Sequence, residues 1–347
     1  MATYKGIQGY TVQNLSSDPT ASEVEGQLWY NSASNVWKVS VGGAAAWATG
    51  GNMTTGRNRC GGTGPGTSAI AVGGYPPGGA PTVSLTETYN GTAWTEVTNI
   101  PIAPGWPGIQ DPGFAGTSTA ALFISGDQGP SPTNTSLTYN GSSWSAAGSR
   151  NNVSPTISLL RVGGAGTETD CLTTCGETIP NTPGGPGGNR DVTESYNGTA
   201  WTELAVYPAV RNEVEITGST SAAIAAGGYN GAGPDPVSAT TVVNEWDGSS
   251  WASGTSMTNG RAEAGSFHNS PTTDWGVFAG TSPSSGKTEL WNGTSWTETA
   301  DLTGRTNQMM GGGTTSSGIA AGGGWPTSNV TEIFNKAPFA AKTVTTS

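Results

Sequence analysis

The heptapeptide Thr88-Tyr89-Asn90-Gly91-Thr92-Ala93-Trp94 recurs along the chain, and that recurrence limits the fold more than any other feature. It comes back as Thr138-Tyr139-Asn140-Gly141-Ser142-Ser143-Trp144 and as Ser195-Tyr196-Asn197-Gly198-Thr199-Ala200-Trp201. Two variants follow, Glu245-Trp246-Asp247-Gly248-Ser249-Ser250-Trp251 and Leu290-Trp291-Asn292-Gly293-Thr294-Ser295-Trp296. Asn-Gly or Asp-Gly between aromatic and β-branched residues signals a hairpin, because both positions tolerate the positive φ of a tight turn. With a two-residue loop, Tyr89 pairs with Thr92 and Glu87 with Trp94. With a four-residue loop, Tyr89 faces Trp94 directly. Side chains alternate along a strand, so either register puts Tyr89 and Trp94 on one face, where they read as core.

The repeated Trp positions are spaced by 50, 57, 50 and 45 residues. A period near 50 is too long for one hairpin and fits a four-stranded unit. Upstream of each hairpin runs a strand of small residues ending in glycine. These are Ala69–Gly74, Ala121–Gly126, Leu159–Gly164, Ala223–Gly228, Gly276–Gly280 and Ile319–Gly323, six in all. Further upstream an Arg usually opens the unit: Arg57, Arg150, Arg211, Arg261 and Arg305, with Trp106-Pro107 in that region of the second unit. The sixth unit stops at Phe334-Asn335 with no Trp after it, while Trp47-Ala48-Thr49 stands unclaimed near the other terminus. The count closes if residues 47–49 supply the last strand of the last unit, which also removes free sheet edges.

A strand ending in Gly-Gly, an aromatic on the third strand and a Trp on the fourth resemble the kelch-type β-propeller. The resemblance covers residues 47–337 and implies an all-β, six-bladed ring closed by the N-terminal strand. The stretch Gly26-Gln27-Leu28-Trp29-Tyr30-Asn31-Ser32, with Trp37-Lys38-Val39, is similar to short hairpin modules of bacteriophage tail-fibre and virion proteins. Together with the opening Ala2–Tyr10, it makes the chain resemble virion structural proteins of marine tailed phages. That likeness implies a non-catalytic particle component, made in the host cytoplasm and present in several copies. Other virion proteins would then be its partners, and a host-surface glycan its outward target. The alternatives are a capsid decoration protein, or a carbohydrate-active enzyme or lectin on the same scaffold.

Residues 1–46 read as a small β-rich attachment segment, too short for a core of its own. Its aromatics Tyr4, Tyr10, Trp29 and Tyr30 are the candidate interface anchors. Residues 338–347 read as a short polar tail. The long, dissimilar loops at 75–83, 127–135, 165–192 and 229–240 mark one variable face, where recognition usually resides.

Charge narrows the partners. The net charge is −11, which argues against nucleic acid or an anionic membrane surface. Neither an apolar run long enough for a membrane span nor a signal-peptide pattern is found. The single histidine, His268, cannot supply a copper or zinc site, so no metal or other cofactor is expected. No named catalytic motif appears, although two carboxylates would suffice for a glycosidase. Cys171 and Cys175 read as a loop pair that forms a local disulfide, stays as free thiols or binds metal; Cys60 reads as a small buried residue. The sequons at Asn90, Asn140, Asn197 and Asn292 fall in the hairpin turns, which themselves demand Asn. The arginine series would ring the centre of the scaffold. It has two readings: an anion or glycan site, or pairing with carboxylates and loop carbonyls of the same unit.

Overall fold

The computed structural model describes residues 13–19, 27–41, 44–79, 81–102, 107–127, 133–151, 157–160, 162–180, 188–230, 239–280, 286–303, 307–324, 327–337 and 340–344. The chain is all-β: seven four-stranded sheets, one three-stranded sheet and no α-helix among the described residues. It divides into two units, residues 46–335 and residues 1–45 with 336–347.

The larger unit carries six of the four-stranded sheets in chain order. Sheet 1 is Gly61–Thr63, Ala69–Val72, Thr86–Tyr89 and Trp94–Glu96. Sheet 2 is Gly113–Thr117, Ala120–Gly126, Thr133–Tyr139 and Trp144–Ala146. Sheet 3 is Gly163–Gly166, Cys171–Thr174, Thr193–Tyr196 and Trp201–Glu203. Sheet 4 is Glu215–Gly218, Ala223–Ala226, Val243–Trp246 and Trp251–Ser253. Sheet 5 is Gly265–Ser266, Trp275–Phe278, Thr288–Trp291 and Trp296–Thr299. Sheet 6 is Met310–Thr314, Ser317–Ala321 and Thr331–Lys336, with Ala45–Thr49 as its fourth strand. The first strand of each sheet packs against the first strand of the next, and that of sheet 6 against that of sheet 1.

The hairpins adopt the four-residue loop. Tyr89 is paired with Trp94, and the same register joins Tyr139 to Trp144 and Tyr196 to Trp201. Asn90 N donates to Ala93 O at 3.2 Å, and Asn90 Oδ1 accepts from Thr92 N and Ala93 N at 3.0 and 2.9 Å. Asn140, Asn197, Asp247 and Asn292 repeat that acceptor role. A short side-chain acceptor is thus what the turn requires. In sheet 6 no turn follows Phe334; Trp47 comes from the other end of the unit, its ring 5.0 Å from that of Phe334, as Trp94 lies 5.1 Å from Tyr89.

Sheet 3 departs from the sequence reading. Leu159 to Gly164 is not a second strand. Gly163–Gly166 is the first strand, and the second is Cys171–Thr174. Ile157–Leu160 instead pairs with Glu177–Pro180 in the three-stranded sheet, completed by Gly188–Asn189. The described part of the 165–192 segment therefore carries strands of two sheets. What misled was composition: Val162-Gly163-Gly164 has the small-residue, Gly-Gly look of a strand end, although here the glycines begin a strand. Residues 338–347 differ too, since Ala340–Thr343 pairs with Val36–Val41 as a strand of the smaller unit.

At the exit of each second strand the backbone turns left-handed. Gly73, Ser125, Cys175, Gly227, Ala279 and Gly322 have φ of 69, 54, 61, 76, 58 and 70°. At Gly73 a Cβ would also lie 2.4 Å from Ile109 O, so glycine is required there.

Each fourth-strand Trp gives its indole N–H to the preceding sheet. Trp94 donates to Thr331 Oγ1 (2.8 Å), Trp47 to Thr288 Oγ1 (2.9 Å) and Trp251 to Thr193 Oγ1 (3.1 Å). Trp144, Trp201 and Trp296 donate to the carbonyls of Thr98, Gly148 and Thr255. The Trp94 bond joins sheet 1 to sheet 6, and Trp94 is buried with Tyr89, Met310 and Ile319. Trp94→Ala should lower stability by ~3–5 kcal/mol through the lost aromatic, and Thr331→Val by roughly 1–3 kcal/mol through the orphaned indole donor. Urea unfolding measures both; a Trp94→Ala loss under about 1 kcal/mol would show that the ring is not core.

Candidate functional site

The arginine series resolves in favour of internal pairing. Arg57 is wholly buried; its Nη2 meets Glu87 Oε1 at 2.9 Å, and its Nη1 donates to the carbonyls of Gly73 and Leu85. Arg150 pairs with Glu194 at 2.7 Å, and Arg261 with Glu289 at 3.0 Å and with the carbonyls of Ala279 and Lys287. Arg211 donates to Thr240 Oγ1, and Arg305 lies outside the described residues. The four described guanidiniums are thus engaged inside their own units and do not form an open anion or glycan ring. Each of these three ion pairs ties the start of a unit to its third strand, and Arg57 and Arg261 also bind the left-handed carbonyl at the second-strand exit. The sequence signal was present but unread: Thr-Glu stands two residues before the aromatic in sheets 1, 3, 5 and 6. Sheet 2, which lacks the Arg, has Leu137 in place of the Glu, and sheet 4 has Asn244.

The attachment residues need correction as well. Trp29 is 2 % exposed, and its indole donates to Asp18. Asp18 also accepts from Asn31 (2.7 Å) and Lys38 (2.6 Å), and the Lys38 hydrogen bond leads in holding its carboxyl below the usual range. Trp29 is thus core of the smaller unit. Tyr30 is half-buried, 5.5 Å from the ring of Trp37. Tyr4 and Tyr10 lie outside the described residues. Among the described residues of this unit the exposed large apolar side chains are Leu28, Trp37 and Val344.

Cys171 and Cys175 form no disulfide. All three cysteines are free and buried. Cys171 starts a strand and Cys175 follows its end, so the extended chain holds them about 13 Å apart, twice what a disulfide spans. They also enter different apolar clusters, Cys171 with Leu122 and Ile124 and Cys175 with Ile216 and Ala223. Burial pushes both thiols up to about 12, so neither is a reactive thiolate.

The feature the sequence did not reveal is a cavity between the six first strands. Its volume is ≈ 140 Å³, and residues of all six sheets line it. Arg59, Asp111, Glu213, Glu263 and Gln308 stand at equivalent places where the first strands begin, with φ of 54, 49, 55, 52 and 57°. By sequence spacing the sixth such position is Arg161, which lies outside the described residues. Non-glycine residues rarely adopt this conformation, and here the strain is held by bonds running from unit to unit. Asp111 N donates to Arg59 O (3.0 Å), Arg59 N to Gln308 O (2.8 Å) and Gln308 N to Glu263 O (2.9 Å). Arg59 pairs with Asp111 at 3.2 Å and lies 4.0 Å from Glu263, which also accepts from Asn307 and Gln308.

The opposite end is closed by the turn after the first strand of sheet 5. Asn269 Oδ1 accepts from Gly313 N and Gly64 N, and its Nδ2 donates to Gly116 O. Thr217 Oγ1 donates to the carbonyls of His268 and Ser270. One turn thereby bonds to sheets 6, 1, 2 and 4, leaving a blind cavity with its mouth at the strand starts. Burial pushes the Glu215 carboxyl inside it up to about 7 and the His268 imidazole at its floor down to about 4. At neutral pH the histidine is therefore neutral. Among the described residues no group of three His, Cys, Asp or Glu is placed to hold a metal ion. No protein-family model matches the chain, and no curated protein matches it either.

Two outcomes follow from these environments. Arg57→Met should cost ~3–5 kcal/mol because it strands a buried Glu87, whereas Arg57→Met with Glu87→Met should recover most of that loss in thermal unfolding. Glu215 has a folded pKa raised above the unfolded carboxylate value. Its contribution is therefore full below about pH 4.5 and is lost as pH rises through about 7. The melting temperature of Glu215→Gln should gain on wild type across that window; parallel profiles would contradict the assignment.

Proposed function

We propose that the larger unit is a six-bladed β-propeller of kelch type, and that the chain serves without catalysis as a structural and attachment protein of a tailed-phage virion. The propeller reading draws on the order in which first strands pack, the fourth strand supplied by Ala45–Thr49 and the Trp94–Thr331 bond between sheets 1 and 6. The non-catalytic reading draws on the buried carboxylates Glu87, Glu194 and Glu289, all committed to guanidinium partners.

One observation carries the attachment role. In the smaller unit Leu28, Tyr30 and Trp37 share a sheet face by register, and Val344 N bonds to Trp37 O beside them. Leu28, Trp37 and Val344 are 42, 44 and 44 % exposed. An exposed face with an aromatic anchor suits docking on another virion protein. The larger unit then presents its long connections between second and third strands outward, with a cell-surface glycan as the target.

Mass spectrometry of purified particles encoding this chain should find it in several copies, and its absence would end the proposal. Leu28→Ser with Trp37→Ser should abolish incorporation while leaving the chain folded. Deleting 231–236 should leave incorporation intact. The reverse pattern would show that the polarity is wrong.

A further inference from the structure

The cavity breaks its own glycine repeat at two places, and only one of them brings a charge. Two residues inward from the mouth, sheets 1, 2, 3, 5 and 6 carry Gly61, Gly113, Gly163, Gly265 and Met310, whereas sheet 4 carries Glu215. A carboxyl in an enclosed space is costly unless a cation meets it. Among the described residues no Lys or Arg pairs with Glu215, and Arg59, the one cation lining the cavity, is taken by Asp111. Asp111, Glu213 and Glu263 add negative charge at the mouth. The remaining walls are mostly backbone and apolar, with Val162, Val214, Ile216 and Met310 among them. At the floor, His268 Nε2 is buried without a hydrogen-bond partner.

We propose that this cavity binds a small organic ammonium ion, its charged nitrogen on the Glu215 carboxylate and its carbon chain against Val162, Val214, Ile216 and Met310. Size sets the limit: an enclosed space of about 150 Å³ holds a molecule like benzene, so roughly six non-hydrogen atoms fit. Charge disfavours an anion, since among the described lining residues four acids face one guanidinium. A divalent cation is disfavoured, since among the described residues no group of three His, Cys, Asp or Glu is placed to hold one. The closed floor gives one way in, on the side where the connections between second and third strands emerge.

Titration calorimetry on the full chain at pH 8 with n-butylammonium, n-butanol and butyrate tests this. Butylammonium should bind saturably in the millimolar range, as five non-hydrogen atoms allow. Butanol and butyrate should bind at least about tenfold more weakly. Wild-type affinity should fall from pH 8 to pH 6 as Glu215 takes up its proton. Asp111, Glu213, Glu263 and Arg59 are the other charged groups that line the cavity; burial pushes the Cys60 thiol up and keeps the His268 imidazole neutral, and Ser266 does not titrate. Glu215→Gln should lose about tenfold in affinity and all of that pH dependence. As a check that needs no variant, the Glu215 carboxyl titration followed by carbon NMR should move down with butylammonium and not with butanol. Equal binding of the alcohol, undiminished binding by Glu215→Gln, an unmoved Glu215 titration, or no saturable binding by about 50 mM would each overturn the proposal.

Discussion

An indole N–H that reaches from one sheet into the sheet before it is the interaction on which the larger unit depends. A single four-stranded sheet such as sheet 1 has little to bury: its second strand is Ala-Ile-Ala-Val, and its first is mostly glycine. Such a sheet cannot stand alone, because its apolar area is small against the entropy of ordering the chain. The Trp on the fourth strand supplies both missing quantities. Its ring covers the Tyr, Trp or Phe of the third strand, and its N–H fixes the offset to the neighbouring sheet. Since Trp47 and Trp94 make the same kind of bond as Trp251, the terminal sheets are joined by the same device as the internal ones.

The buried ion pairs act at the other end of each unit. Arg57–Glu87, Arg150–Glu194 and Arg261–Glu289 have essentially no solvent contact, so they contribute little net stability over an apolar pair. Their geometry explains their presence better than their energy does. The carbonyl at a left-handed strand exit points where no backbone donor of the same sheet can reach it. At Gly73 and Ala279 a guanidinium reaches it and also spans to the third strand. Where sheet 2 has no arginine, Leu137 replaces the glutamate and the position becomes apolar as a whole. In sheet 2 the two residues are lost together, since either alone would be a buried, unpaired charge; in sheet 4 Arg211 stays opposite Asn244 and donates to Thr240 Oγ1 instead.

Hairpins were legible in the sequence because Asn-Gly fixes backbone geometry locally and the aromatic spacing fixes the face. The closing strand was legible because Phe334 lacked a partner and Trp47 had none. Sheet 3 was misread because a run such as Val162-Gly163-Gly164 states composition and not direction: glycines that end a strand in sheet 1 begin one here. Trp29 was misread for a related reason. An aromatic in a short segment looks available until a polar partner such as Asp18 is seen to hold it. The cavity mouth was invisible because Arg59, Asp111, Glu213, Glu263 and Gln308 share a backbone angle and no side-chain chemistry.

That shared angle also bears on how the inner wall is built. The first strands approach so closely that a Cβ at Gly61 would lie 2.7 Å from Phe114, and one at Gly113 would lie 2.6 Å from Val162. Crowding between neighbouring sheets therefore selects glycine at this level, and glycine brings no polar atom beyond its backbone. A wall made this way cannot solvate a charge. Glu215 is tolerated because burial favours its neutral form and Ser266 stands beside it. The turn at His268–Ser270 then closes the far end using main-chain and Asn269 hydrogen bonds, without filling the space above it. A repeat that is uniform for reasons of packing thus makes any departure from it stand out. Here both departures, a carboxyl in the wall and an imidazole in the floor, face the same enclosed volume.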